Sequence, residues 1–293
     1  MPYKYRDAWH VKMRAYEKRL RAHHNSEQTI TVRKNQLSRV WEILGKPNDP
    51  LKVPLEEYQS LESHLESIGL MPNTIVNYIT ALKLFLKFCK YPDAEEILTK
   101  YEAQVKEDRV FLEEEYVSDA REIAHKLGAR YELAYSLAVD NSLRRGDITR
   151  ITLNEAQRLL ETGRAHITQK GNRKRLLILH KKTLQPLRDY LDERESVLLK
   201  KGIPGDPYLF LNFQTGKRLS PDSIYCYIIK ISEAMGTYFR PHDLRATYVR
   251  RQARAGTKPY VVMMNAGHKS WSTTFKNYYG EDEQEMENAQ DRI

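Results

Sequence analysis

Four separated stretches of the chain carry side chains suited to holding and attacking a small anion. In DNSLRRGDITRI, residues 140–151, Arg144 follows the apolar run LAYSLAV and precedes a turn at Gly146, with Asp147 three residues on. Packing on the apolar side would hold Arg144 rigidly with its planar fork pointing out of the fold; Arg145 is the competing candidate and the one expected to face solvent. In ITQKGNRKRLLIL, Lys170 opens a Gly-Asn turn, and Lys170, Arg173, Lys174 and Arg175 cluster around it. A hairpin tip is narrow enough to enter a nucleic-acid groove, which makes Arg173, Lys174 and Arg175 candidate DNA contacts. In RPHDLRATYVRRQARAG, residues 240–256, His242 and Arg245 stand three apart, about one helical turn, and can address the same anion. GHKSWSTTFKNYYG, residues 267–280, sets His268 ahead of the adjacent phenols Tyr278 and Tyr279.

Each stretch alone is what a solvated helix face or a soluble hairpin edge would show. Together they suit attack on a phosphodiester, which builds negative charge on the non-bridging oxygens. Arg144 and Arg245 offer permanently charged forks to that charge. A tyrosine of ordinary pKa ~10 needs such a positive neighbourhood to act as a nucleophile near neutral pH.

In this order the stretches resemble the catalytic boxes of the tyrosine recombinases, the phage-integrase family. The matching pieces are LRRGD, QKGNRKR, HDLRATYVRR and AGHKSWSTTFKNYYG, and the resemblance spans residues 109–280. It implies that Arg144 and Arg245 hold the scissile phosphate and that His242 and His268 add hydrogen bonds, His242 also exchanging a proton with the nucleophile. Lys170 would protonate the departing 5′ oxygen. The nucleophile would form a 3′-phosphotyrosine on one strand at a time and then rejoin it to a partner strand. Family members place it nine or ten residues after the histidine. Ten is Tyr278, which we take as the nucleophile, with Tyr279 as the alternative. Neighbouring helical positions differ by about 100°, so the two phenols would not face one phosphate equally. Position nine is Asn277, and were that the true register the chain would bind DNA without cutting it. A type IB topoisomerase or telomere resolvase uses similar residues and stays open as a second alternative.

Composition agrees with a polyanionic partner. The net charge is +9, and with the acidic tail EDEQEMENAQDRI set aside the body carries 47 basic against 33 acidic groups. Each phosphate neutralised by Lys or Arg releases counterions, so duplex DNA is the expected partner. The resemblance further implies a homotetramer on synapsed sites, accessory DNA-bending proteins and a prokaryotic or viral origin. No cofactor and no metal is called for: His242 and His268 lack a third ligand at metal spacing, and no Gly-rich nucleotide loop occurs. Cys89 and Cys226 lie far apart in apolar contexts, which fits a reducing compartment. No apolar run approaches a membrane span, so the expected location is the cytoplasm.

The elements that must position these residues are mostly helical. Residues 73–89, NTIVNYITALKLFLKFC, place Ile75, Ile79, Leu82, Phe85 and Leu86 at helical spacing, with Asn73 as the expected N-cap. Helices are also expected in RDAWHVKMRAYEKRLRAH, TITVRKNQLSRVWEIL and PLEEYQSLESHLESI, separated by breakers. The fold class is therefore mainly α with two domains. Residues 1–105 would form a helical core-binding domain, and residues 106–293 a catalytic domain containing one β-hairpin over about 165–179. Pro241 and Gly256 mark the ends of the helix that carries His242 and Arg245.

Overall fold

The computed structural model describes residues 7–101, 110–169, 171 and 173–267. The chain divides into two compact units, Met1–Glu107 and Asp108–Ile293, each with a hydrophobic core of its own. Among the described residues no helix is long and apolar enough to cross a membrane.

Among its described residues the first unit is built on α1 (Ala8–Ala22), α2 (Glu27–Ile43), α3 (Leu55–Ser67) and α4 (Pro72–Cys89). Trp9, Met13, Tyr16 and Leu20 form the buried stripe of α1, and Asp7 caps it by accepting from the His10 backbone N–H. Ile75, Ile79, Leu82, Phe85 and Leu86 are buried on α4 as their spacing requires. Asn73 is not its cap. Pro72 takes the first helical position, where a missing N–H costs nothing, and Met71 becomes the cap residue.

The second unit contains α5 (Glu114–Leu127), α6 (Ala129–Val139), α7 (Arg145–Ile148), α8 (Leu153–Thr162), the strands β1 (Arg164–Gln169) and β2 (Arg173–Ile178), then α9 (Leu184–Lys201), α10 (Pro221–Met235), α11 (Pro241–Arg254) and α12 (Pro259–Ala266). Every residue of α6 from Leu133 to Val139 is buried, so this helix is the centre about which α5, α9, α10 and α11 pack. The strands pair antiparallel, with Gln169 opposite Arg173, Ile167 opposite Arg175 and Ala165 opposite Leu177. Ala165, Ile167 and Leu177 are buried, so this face of the hairpin lies on the core. Arg175 is on the same face by register. Between α9 and α10 the chain runs through the buried Leu209, Phe210 and Leu211, and Phe210 stacks on Tyr190 with ring centroids 4.7 Å apart.

The link from α6 to α7 sets the position of Arg144. Ser142 adopts φ 52, a left-handed conformation that costs a non-glycine residue about 1 kcal/mol or more. Surrounding bonds hold it there. The Asn141 amide donates to the Ile178 carbonyl at 3.1 Å and its oxygen accepts from the Thr183 hydroxyl at 2.9 Å, while the Leu143 N–H donates to the Leu137 carbonyl. Leu143 is fully buried immediately before Arg144. Leu143→Ala should therefore lower the unfolding free energy by about 3 kcal/mol, a loss that calorimetry of the full chain would measure.

Candidate active site

Arg144 caps the single turn α7 and reaches across the unit to the end of α12, where its Nη2 donates to the Gly267 carbonyl at 3.0 Å. Arg245, in the middle of α11, donates from its own Nη2 to the neighbouring Ala266 carbonyl at 2.9 Å. Two guanidinium groups from distant parts of the sequence thus hold consecutive carbonyls. Helix α11 can place Arg245 there because its ends are fixed. Pro241 fills the first position, and Asp243 accepts from the Arg240 backbone N–H at 2.8 Å. Tyr248, Val249, Val262 and Ala266 form a small core that clamps α11 to α12.

Exposure does not separate Arg144 from Arg145, whose side chains are 38% and 37% exposed. Their partners do. Arg145 turns to Asp222 on α10 at 2.8 Å and lies over the Tyr225 ring, whereas Arg144 faces the α12 terminus.

Arg245 is 5% exposed, and its Nη1 finds no acceptor among the described residues. Burial, with Arg144 and Arg175 nearby, pulls its pKa down to about 9. Arg175 shows the same pattern, its pKa pulled down to about 10 by burial while Asp147 works in the opposite direction. Both remain charged at neutral pH. Asp147, 2% exposed, is the carboxylate set against them. It lies 3.8 Å from Arg144 and 3.4 Å from Arg150, and it accepts from the Gln169 amide at 3.4 Å. One buried carboxylate facing Arg144, Arg175 and Arg245 leaves the site with surplus positive charge.

His242 opens the first turn of α11 and keeps a solvent-exposed edge. Partial enclosure by protein, followed by repulsion from Arg245, Arg144 and Arg145, holds its pKa below the ordinary value of 6.5. The imidazole is therefore neutral at pH 7 and able to accept a proton beside two or more fixed cations.

The structure brings Arg144, His242, Arg245 and Arg175 together. Arg173 and Lys174 are exposed on the hairpin. Arg175, grouped with them as a DNA contact from sequence, is turned inward because it shares the core-facing side of β2 with Leu177. Lys170, His268, Tyr278 and Tyr279 lie outside the described residues. Asp147 and Gln169 were given no role by the sequence reading, although the period of two from Leu179 and Leu177 back to Arg175 was visible in it.

The phage integrase family model matches residues 110–285. The chain belongs to the phage integrase family. Among curated relatives of this integrase-family chain, the tyrosine recombinase XerC of Thermodesulfovibrio yellowstonii is 24% identical over 238 residues, covering 79% of this chain and 71% of the relative. XerC of Natranaerobius thermophilus is 34% identical over 119 residues, 39% of this chain and 40% of that one. Among solved structures, the Tn1549 transposon integrase in complex with a circular intermediate DNA has a TM-score of 0.69 at 16% identity, covering 96% of this chain and 99% of the other. XerH recombinase bound to difH in a pre-cleavage complex has 0.67 at 22%, covering 90% and 78%. A lambda integrase dimer bound to a COC′ core site has 0.65 at 18%, covering 93% and 78%. These likenesses establish a shared fold.

Two outcomes follow from the site's electrostatics. Asp147→Asn removes the carboxylate that balances buried cations, and should cost about 3 kcal/mol in chemical denaturation. Because the folded pKa of His242 is depressed, the unfolded chain binds the extra proton first. This contribution to stability is present above pH ~6.5 and is lost as pH falls through the folded value. A stability curve from pH 8 to 5 should therefore be shallower for His242→Gln than for the wild type.

Proposed function

We propose that this chain is a site-specific DNA recombinase, an integrase-type enzyme that cuts and rejoins duplex strands through a phosphotyrosine. The observation that supports this most directly is the pairing of Arg144 and Arg245 at consecutive carbonyls with buried donor capacity left over, in a chain of this family. Both guanidiniums present N–H groups to oxygens of one small region, the geometry that a phosphate's non-bridging oxygens require.

In the reaction, duplex DNA lies with its scissile phosphate against Arg144 and Arg245. The Tyr278 oxygen attacks phosphorus while neutral His242 takes up the phenolic proton. A bond forms between the tyrosine oxygen and phosphorus, and the bond from phosphorus to the 5′ oxygen breaks. Lys170 supplies the proton to that leaving oxygen, and His268 adds a hydrogen bond to the phosphate. The product is a 3′-phosphotyrosine with a free 5′ hydroxyl. Attack by a partner strand's 5′ hydroxyl reverses these steps, so the phosphoester bond energy is kept without ATP. Exchange between two duplexes calls for a homotetramer on synapsed sites, with each site catalysing its own strand. The relatives named as recombinases, and the neighbours solved on core-site and difH DNA, support duplex DNA as the substrate.

A nicked target that loses its short fragment on cleavage will trap the covalent state. Wild type should give a slow band on a denaturing gel, Tyr278→Phe should give none, and Tyr279→Phe should retain it. Arg144→Ala and Arg245→Ala should each slow its formation by about a hundredfold or more. Binding of the target without any adduct would identify a DNA-binding protein with a decayed site. Plasmid relaxation without exchange between sites would identify a topoisomerase.

A further inference from the structure

Arg175 fits the roles of neither a hairpin-tip DNA contact nor a core residue. Its strand position, opposite the fully buried Ile167, directs it toward the interior. There its Nε and Nη1 are buried with no acceptor among the described residues, and its Nη2 makes only a long 3.5 Å contact to the Asn141 carbonyl. A buried guanidinium with this much unused donor capacity is unfavourable unless an anion completes it. Arg245 likewise has no acceptor for its Nη1 among the described residues. Gly267, whose carbonyl Arg144 holds, lies against Arg175: a Cβ built there would fall 2.9 Å from the Arg175 Nη1 and 2.7 Å from the Gln169 Nε2. Its φ of +64 is a second reason for glycine at this point. Three guanidiniums from α7, β2 and α11 therefore converge on the last residues of α12.

We propose that Arg175 is a third guanidinium of the phosphate site, a positioning residue that adds positive potential to the pair formed by Arg144 and Arg245 and braces Gly267 between them. The anion site stands on the geometry alone. Its use in strand transfer rests on the recombinase reading above.

Inorganic phosphate is the first probe, titrated into the full chain with thermal unfolding as the readout. Wild type should show saturable stabilisation. Arg175→Met, which keeps length and removes charge, should weaken the apparent affinity about tenfold, while Arg164→Met at the exposed start of β1 should change it less than twofold. Affinity within twofold of wild type for Arg175→Met, or no saturable stabilisation of wild type, overturns the inference. Should the Met variant fail to fold, Arg175→Lys takes its place, with a loss of about threefold expected and unchanged affinity as the contrary result.

The second probe is the nicked DNA with either a natural phosphate or a neutral methylphosphonate at the scissile position. Arg175→Met should slow adduct formation about a hundredfold on the phosphate and less than tenfold on the methylphosphonate, because the charge it serves is absent there. Equal slowing on both marks a structural role and overturns the proposal. Phosphate binding through Arg175 without any adduct from wild type would sink only the recombinase reading.

Discussion

The site depends on a local imbalance: around the end of α12, Arg144, Arg175 and Arg245 gather more positive charge than the one carboxylate set against them, Asp147, can match. At an effective dielectric near 20, two like charges about 4 Å apart repel by about 4 kcal/mol, and desolvation adds to that. The depressed pKa values of Arg245 and Arg175 express both costs. A fold carries such a cost only where neighbouring groups offset part of it. Asp147 supplies one full negative charge, and the carbonyls of Ala266 and Gly267 supply the partial negative charge of a helix C-terminus. The end of α12 thus occupies donors that an incoming anion would want.

That arrangement links anion binding to the end of α12. A phosphate offers Arg144 and Arg245 charged oxygens in place of neutral carbonyls, and charge-assisted bonds are roughly twice as strong as neutral ones. The donors that a phosphate recruits are the ones anchoring Ala266 and Gly267, and the next residue in sequence is His268. Anion binding and the anchoring of Ala266 and Gly267 therefore draw on the same hydrogen-bond donors. Gly146 and Gly267 differ in this respect. A side chain at Gly146 would meet only the flexible Arg150 fork at 3.3 Å, whereas one at Gly267 would press on both Gln169 and Arg175.

Much of this architecture could be read before any coordinates, wherever local pattern and tertiary packing agree. The stripe from Ile75 to Leu86, Pro241 at the start of α11 and the apolar alternation of the hairpin all follow from short-range rules. Asn73 shows a competition between two such rules, in which proline's pre-set φ prevailed over the side-chain cap. Arg175 answers to two patterns at once: cation density groups it with Arg173 and Lys174, while strand alternation places it on the core-facing side with Leu177. What no pattern could supply is the meeting of Arg144 with Gly267. A backbone carbonyl has no residue type to betray it, and the contact exists only once α7 and α12 are brought together across the core. The difference between Arg144 and Arg145 is likewise tertiary, since both are equally exposed and only their partners, Gly267 at the end of α12 for one and Asp222 and Tyr225 on α10 for the other, distinguish them.

The same field assigns the proton chemistry. Arginine starts so high that a fall to about 9 or 10 leaves it charged at neutral pH, whereas histidine starts at 6.5 and any depression leaves it neutral. Burial, reinforced by one cluster of cations, thus leaves permanently charged donors beside a neutral imidazole. A phosphate bound at the proposed site would cancel part of that field at His242 and raise the imidazole's affinity for a proton. In the proposed reaction, substrate charge would both complete the arginine site and raise the basicity of the imidazole beside it.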